Sequence, residues 1–433
     1  MSSPDSQSSI DLLDPDSEIY SGTLDCVHCG LCLTSCPTYR VTGREASSPR
    51  GRVHLLRGVA EGAIELSETV AGELHLCLGC RACETACPSG VRYGALLEQG
   101  RSLVAERGLR KGLGFWVEGL ALRQILARKF RLKLLVSFLA WVQRLGIDRL
   151  AAPLLPRGLD RARRLLPPIP PASDRERLPA FTPARGPRRG RVAFLEGCVM
   201  PELFGGINRA SVRVLAANGF DVWVPGDQVC CGALHAHSGD LDSARALARK
   251  NKQAFHEEGE TFDALVTNSA GCGAALREID HWLPEGSGPL GGKTVDVMEF
   301  LDEVGWREPL HSLPARVCYD DPCHLVHAQG VAAAPRRLLG LIPDLELVPH
   351  ANPDRCCGAA GTYNLLQAEM ADSVLEQKMG DLEVADPEWI LTGNPGCLMQ
   401  LRAGAESRGW SATVAHPIEL LDRAMAVEEF PTD

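Results

Sequence analysis

Eight cysteines in the first hundred residues fall into two identical frames. "CVHCGLCLTSCP" supplies Cys26, Cys29, Cys32 and Cys36 before Pro37, and "CLGCRACETACP" supplies Cys77, Cys80, Cys83 and Cys87 before Pro88. Both read C-x2-C-x2-C-x3-C-P. Two-residue spacings let one short loop offer thiolates to three irons of a cube, and the fourth cysteine ligates the other cluster. The expectation is one [4Fe–4S] cluster on Cys26, Cys29, Cys32 and Cys87, and a second on Cys77, Cys80, Cys83 and Cys36. Structural zinc also uses C-x2-C, but seldom three cysteines at this spacing with a fourth before proline. Two such clusters side by side make a one-electron relay.

A second set lies in the C-terminal half, where two adjacent pairs stand before glycine: Cys230–Cys231–Gly232 and Cys356–Cys357–Gly358. The surrounding chain is a repeat. "RVAFLEGC" ends at Cys198 and "RVCYDDPC" at Cys323; "ALVTNSAGC" ends at Cys272 and "WILTGNPGC" at Cys397. Helical segments and apolar runs alternate between them in the same order, and "VDVMEFLDEV" parallels "VAHPIELLDR". Strand–helix–strand order implies parallel β–α–β units, whose ligands gather at the carboxyl ends of the strands. Cys198, Cys230, Cys231 and Cys272 are therefore expected to converge, as are Cys323, Cys356, Cys357 and Cys397. One further iron–sulfur cluster per repeat is the reading; a vicinal disulfide or a metal-free motif are the alternatives. Glycine after the pair is expected to let the backbone turn tightly against the cofactor. Of 17 cysteines only Cys318 is left over, as a buried structural thiol.

The elements that position these residues divide into five stretches. Residues 1–20 read as a disordered acidic tail without the features of a signal peptide. Residues 21–100 form an α-helical ferredoxin domain: "SPRGRVHLLRGVAEGAIEL" has helical periodicity, with Val53, Leu55, Leu56 and Val59 apolar, and Leu96, Leu97 and Val104 continue the pattern. Residues 191–310 and 311–433 are the two α/β cysteine-rich repeats. Between them, residues 101–190 hold 20 Lys+Arg against 6 Asp+Glu, so this stretch is +14 while the chain is −10 overall and its remainder −24. "LRQILARKFRLKLLVSFLAWVQRL" reads as one basic amphipathic helix covering a core or a partner, or lying on an anionic membrane surface, with peripheral contact through residues 101–165. The Pro/Arg-rich run after it reads as an extended linker. No nucleic-acid recognition motif accompanies the charge. No apolar run reaches the roughly 18 residues of a spanning helix. Without a sign of export, the expected location is cytoplasmic, peripheral on the inner face of the membrane at most.

The arrangement C-x31-CCG-x36-S-A-G-C, then C-x32-CCG-x35-N-P-G-C, resembles the cysteine-rich domains of heterodisulfide reductase B and D subunits. Those relatives carry C-x2-C at the end of the motif, where this chain has Ser269 and Asn394. Within that superfamily, "HLCLGCRACETACPSGVRYGALLEQGR", "GCVMPELFGGINRASVRVLAANG" and "GTYNLLQAEMADSVLEQKM" resemble the iron–sulfur subunits of bacterial glycolate oxidase, over about Thr23 to Asp422. The resemblance implies a division of labour. A flavoprotein partner would oxidise the 2-hydroxy acid on FAD, and this chain would pass electrons towards membrane quinone with no catalytic residue of its own. D-lactate and glycerol-3-phosphate dehydrogenase iron–sulfur subunits share the plan, and a heterodisulfide reductase-like subunit reducing a disulfide or quinone itself is the alternative. No G-x-G-x-x-G follows an N-terminal strand, in keeping with FAD only on the partner.

Overall fold

A computed structural model describes residues 17–256, 261–283 and 285–425. The proposed acidic tail therefore lies outside the described residues up to position 16. Its last residues are not tail: Ser17 accepts a hydrogen bond from the Tyr20 N–H and starts a helix over Glu18–Leu24.

Among the described residues the N-terminal domain contains helices and loops but no strand. Pro49–Ala60 is started by the Ser48 cap, whose side chain accepts from Gly51 N–H with Pro49 at the first position. Ser67 does the same for Glu68–Leu76. These helices and Tyr93–Glu106 bury Val53, Leu56, Val59, Leu74, Leu96, Leu97 and Val104 in one core, with Leu55 at its edge. Tyr93–Glu106 crosses the boundary expected at residue 100.

The basic stretch differs from its reading in two ways. It is not one helix: Leu113–Ala121 runs into a π turn at Leu122–Leu126, Arg128 is extended, and a new helix spans Lys129–Arg144. Nor is the linker wholly extended. Arg157–Leu165 is helical, and Arg161 of that helix donates to Asp372 Oδ2 at 2.8 Å, tying it to the second repeat.

The C-terminal half holds two sheets. The first contains β1 (Phe181–Thr182), β2 (Gly190–Phe194), β3 (Phe220–Trp223), β4 (Ala264–Thr267) and β5 (Thr294–Asp296), in the order β1-β3-β2-β4-β5. All neighbours are parallel except β1, which adds antiparallel to β3 and so begins the sheet ahead of residue 191. The second holds β6 (Ala315–Tyr319), β7 (Leu345–Leu347), β8 (Trp389–Leu391) and β9 (Thr413–Ala415), ordered β7-β6-β8-β9 and all parallel. Strand for strand this is the first sheet again without its antiparallel edge.

The repeats also pack reciprocally. Helix Gly205–Ala217 lies against Pro417–Ala424, and Val297–Val304 lies against Ala333–Leu339, each interface being the counterpart of the other. Arg213 Nε donates to Asp422 Oδ1 at 3.0 Å and Arg337 Nε to Asp302 Oδ1 at 2.9 Å, again as counterparts. Phe194, Val222 and Val266 share one buried cluster with Val317, Tyr319 and Leu391. Two sheets thus stand around a common core related by an approximate two-fold, an intrachain version of an isologous interface.

Candidate functional site

All 17 thiols are free, so neither adjacent pair is a disulfide. Among the described residues, no three His, Cys, Asp or Glu side chains converge on a single-ion site. The cysteines instead stand around space.

In the N-terminal domain, Cys36, Cys77, Cys80 and Cys83 line one small cavity with Thr38, Arg52 and Tyr93. All four are buried. The Gly79 N–H (3.4 Å) and Tyr93 Oη (3.5 Å) donate to Cys77 Sγ, and Cys36 Sγ lies 3.2 Å from Thr38 Oγ1. Arg52 is fully buried, anchored by Nε to Glu73 O at 2.6 Å, and carries positive charge to this group of thiols. Desolvation pushes Cys83 well above the ordinary thiol value and pushes Cys36 up as well. The other four lie nearer the surface: Cys26, Cys32 and Cys87 are half-buried against the helical core and Cys29 is exposed. Their loop is held by left-handed turns at His28 and Gly30 and by Arg50, which donates to His28 O at 2.9 Å.

In the repeats, each cysteine follows a parallel strand at its carboxyl end: Cys198, Cys230–Cys231 and Cys272 after β2, β3 and β4, and Cys323, Cys356–Cys357 and Cys397 after β6, β7 and β8. Each quartet converges, and both converge on the same place. All eight line a single chamber of about 230 Å³, whose wall on the third side is the N-terminal domain at Cys77, Leu78 and Arg101. Cys231 and Cys272 Sγ are 3.3 Å apart, and Cys357 and Cys397 Sγ 3.0 Å. Within each quartet one thiol is stabilised as thiolate by its neighbours. Cys230 is held well below the usual value by Cys198 and Cys231, and Cys357 by Cys356 and Cys397. Their neighbours Cys198, Cys231, Cys356 and Cys397 are raised by the same pairing and by desolvation.

The three cysteine groups are contiguous. Cys80 of the N-terminal domain lies in one apolar cluster with Cys323 and Cys356, and the neighbouring Cys356 thiol lowers the Cys80 value. The domains are clamped around this contact. Arg101 donates to Cys77 O (2.5 Å) and His237 O (2.7 Å), Tyr363 Oη donates to Leu76 O at 2.8 Å, and Arg81 pairs with Glu278.

Ser269 and Asn394, which replace the fifth cysteine of the resembled motif, both line the chamber. Asn394 is engaged: its amide N–H lies 3.6 Å from Cys397 Sγ and its oxygen accepts from Gly271 N–H at 3.2 Å. It links the two repeats across the site. Of the histidines, His237 and His324 stack at 5.2 Å between the repeats, and the His237 ring lies 2.9 Å from Glu98. His235 is fully buried beside Cys230 and helps to hold that thiol low. Cys318 is buried away from the chamber and donates to Val348 O at 3.2 Å, with burial raising its value to about 11.

The glycine after each pair has another reason than the one expected. Gly358 has φ +88°, and a Cβ there would come 2.6 Å from Ala371 O; at Gly232 (φ +90°) the distance to Ala244 O is 3.3 Å. The close approach is to the backbone of helices Ala368–Ala385 and Leu241–Ala254. Sequence reasoning also missed Arg52, Arg101 and Lys378, which sit on helices distant in sequence from the motifs they serve.

Soft thiolate donors grouped around largely apolar cavities fit iron–sulfur ligation and not a hard cation. The fold and its cysteines define an iron–sulfur protein: residues 22–91 match the 4Fe-4S dicluster domain, and residues 192–277 and 317–402 the cysteine-rich domain. The chain is 39% identical over 415 residues to the probable glycolate oxidase iron-sulfur subunit of Bacillus subtilis (strain 168), covering 92% of this chain and 93% of that protein. It is 34% identical to the glycolate oxidase iron-sulfur subunit of Escherichia coli (strain K12), covering 93% and 94%. A fumarate reductase (CoM/CoB) subunit of Methanothermobacter marburgensis is 27% identical over 92% of this chain and 72% of its own length. The chain belongs to the family of glycolate oxidase iron–sulfur subunits.

Proposed function

We propose that this chain is the electron-transfer subunit of an FAD-linked glycolate dehydrogenase, taking electrons from a flavoprotein partner towards quinone. The observation that carries this reading is the sharing of cores by successive cysteine groups: Cys26, Cys32 and Cys87 pack on the core that holds Cys77 and Cys83, and Cys80 packs with Cys323 and Cys356 of the chamber. Cys26, Cys29, Cys32 and Cys87 would hold one [4Fe–4S] cluster; Cys36, Cys77, Cys80 and Cys83 a second. The quartets Cys198, Cys230, Cys231, Cys272 and Cys323, Cys356, Cys357, Cys397 would hold one further cluster each. Bound clusters supply reversible one-electron transfer.

The protein's own groups do the rest. Exposure at Cys29 leaves the first set open to a docked donor. Burial of the second set excludes water, and the Arg52 and Arg101 guanidinium groups offset the thiolate charge. Asn394 and the His237–His324 stack hold the two quartets in fixed relation.

The test is to purify the chain anaerobically with its flavoprotein partner and follow EPR on adding glycolate or D-lactate. Cluster reduction by glycolate is expected; its absence overturns the substrate assignment. Iron analysis reads the repeats separately: about eight irons per chain leave them empty, and about twelve or more require clusters there. A second reading draws on the chamber shared by both quartets, which has room for a small acceptor between them. On that reading the chain alone, with an artificial donor, reduces a disulfide or quinone.

A further inference from the structure

The helices between the two cluster-bearing regions carry an apolar face that the described residues leave bare. Of 22 large hydrophobic side chains exposed among those residues, 14 fall between Leu113 and Leu159. Monomer surfaces rarely gather apolar residues this way without something to cover them. On helix Lys129–Arg144, Phe130, Leu134, Phe138 and Trp141 recur at spacings of three and four, with Leu145 just beyond, so they form one stripe. It faces away from Leu132, Val136 and Ala140, which the helix buries against the protein. Phe130 is 72% exposed and Leu150, further along, 80%. Helix Leu113–Ala121 repeats the arrangement, with Leu113, Trp116, Val117 and Leu120 outward and Glu118 buried on the opposite side.

Charge decides what this face meets. At 100° per residue, Arg131 falls along one edge of the stripe on Lys129–Arg144, and Lys133 and Arg144 along the other. All three are exposed. An apolar stripe edged on both sides by long basic side chains, with tryptophans at 116 and 141, has the form of a helix lying in a membrane interface. There the apolar side chains enter the acyl boundary and the Arg and Lys heads reach the phosphates. Among the described residues no helix is long and apolar enough to cross a membrane, so contact would be in the plane of the surface. The +14 stretch is set in a chain that is otherwise −24, which orients this face towards a negative surface.

We propose that the segment from Leu113 to Leu159 docks this protein on an anionic phospholipid surface through the outward faces of helices Leu113–Ala121 and Lys129–Arg144. The inference bears on the acceptor side of the reading above but does not depend on it, because vesicle binding needs neither substrate nor flavoprotein.

The experiment is flotation of the anaerobically purified full chain with vesicles of phosphatidylcholine alone or mixed with phosphatidylglycerol, at low and high salt. Wild type floats with the anionic vesicles at low salt and is released by salt. Each basic residue near an anionic surface is worth about fivefold in binding. The variant R131Q/K133Q/R144Q therefore loses about a hundredfold of its preference for phosphatidylglycerol. The variant F130S/F138S/W141S, all at exposed positions, loses binding while keeping the wild-type visible spectrum and iron content. Failure of wild type to float, or equal flotation of wild type and the apolar variant, overturns the proposal. So does an apolar variant that floats normally but no longer co-purifies with the flavoprotein or a second copy, since the face is then a protein interface.

Discussion

Lys378 Nζ lies 2.7 Å from Asp320 Oδ1, with neither side chain more than 1% exposed. The same ammonium donates to Asn352 O (3.0 Å) and Pro353 O (3.1 Å), anchoring the loop that leads to Cys356. In the first repeat the two positions are Asn251 and Leu195. Asn251 accepts from Val229 N–H at 2.8 Å and donates to Cys230 O at 3.0 Å. Leu195 N–H bonds Val266 O, as Asp320 N–H bonds Leu391 O. One helix position therefore anchors the cysteine-pair loop in both repeats, by an amide in one and by a buried ion pair in the other. The two halves of the chamber are inequivalent as a result.

Removing one partner of a buried pair strands the other charge, whereas replacing both is often neutral. Lys378→Met is expected to destabilise by ~3–5 kcal/mol, read as a drop in melting temperature. The double change D320L/K378N, which installs the residues of the first repeat, should recover most of it. A double variant as unstable as the single one would show that the pair is not the cause.

At Gly358, an added methyl meets a helix carbonyl in a left-handed backbone conformation. Gly358→Ala should cost on the order of 1–3 kcal/mol. Gly232→Ala should cost less, because its clearance is 0.7 Å greater (3.3 − 2.6 Å). Thermal denaturation of the two variants, side by side, gives the order.

Cysteine substitutions separate the proposed ligand sets. Cys36→Ser should remove the buried set's cluster, although Cys36 lies in the first sequence motif, and Cys29→Ser should affect the exposed one. Iron analysis and EPR of each variant distinguish them. Cys318→Ala should leave iron content unchanged, since its thiol faces Val348 O and not the chamber.

The last helix of each repeat opens with a capping box, on Asp296 in the first and His416 in the second, and the two titrate oppositely. Burial raises Asp296 to about 7, so the folded state favours its proton and stability falls as pH rises from about 4 to 7. Burial lowers His416 to about 3, so stability falls as pH drops below about 6.5. Asp296→Asn should gain in melting temperature over wild type as pH rises from about 4 to 7. His416→Asn should gain as pH falls from 6.5 towards 5. Differences that do not change with pH would refute the assignment.

Spacing alone made the cysteines legible, because each N-terminal motif delivers three thiols within a few residues of one loop and a fourth at a fixed interval, before proline. The repeat was equally plain, since two copies of one β–α–β plan must bury the same positions. The broken basic helix was not legible: an apolar period continues through Arg128, and only tertiary contacts decide where a helix stops. Residues such as Lys378 and Arg52 gave no local sign either, since their partners Asp320 and Glu73 are distant in sequence. What the sequence by itself determined is which cysteines belong together within each motif and each repeat. Only the tertiary structure decided that both quartets open on one chamber and that Cys80 touches Cys356. These follow from the near two-fold packing of the repeats and the docking of the helical domain across them, which long-range burial settles and no local pattern encodes.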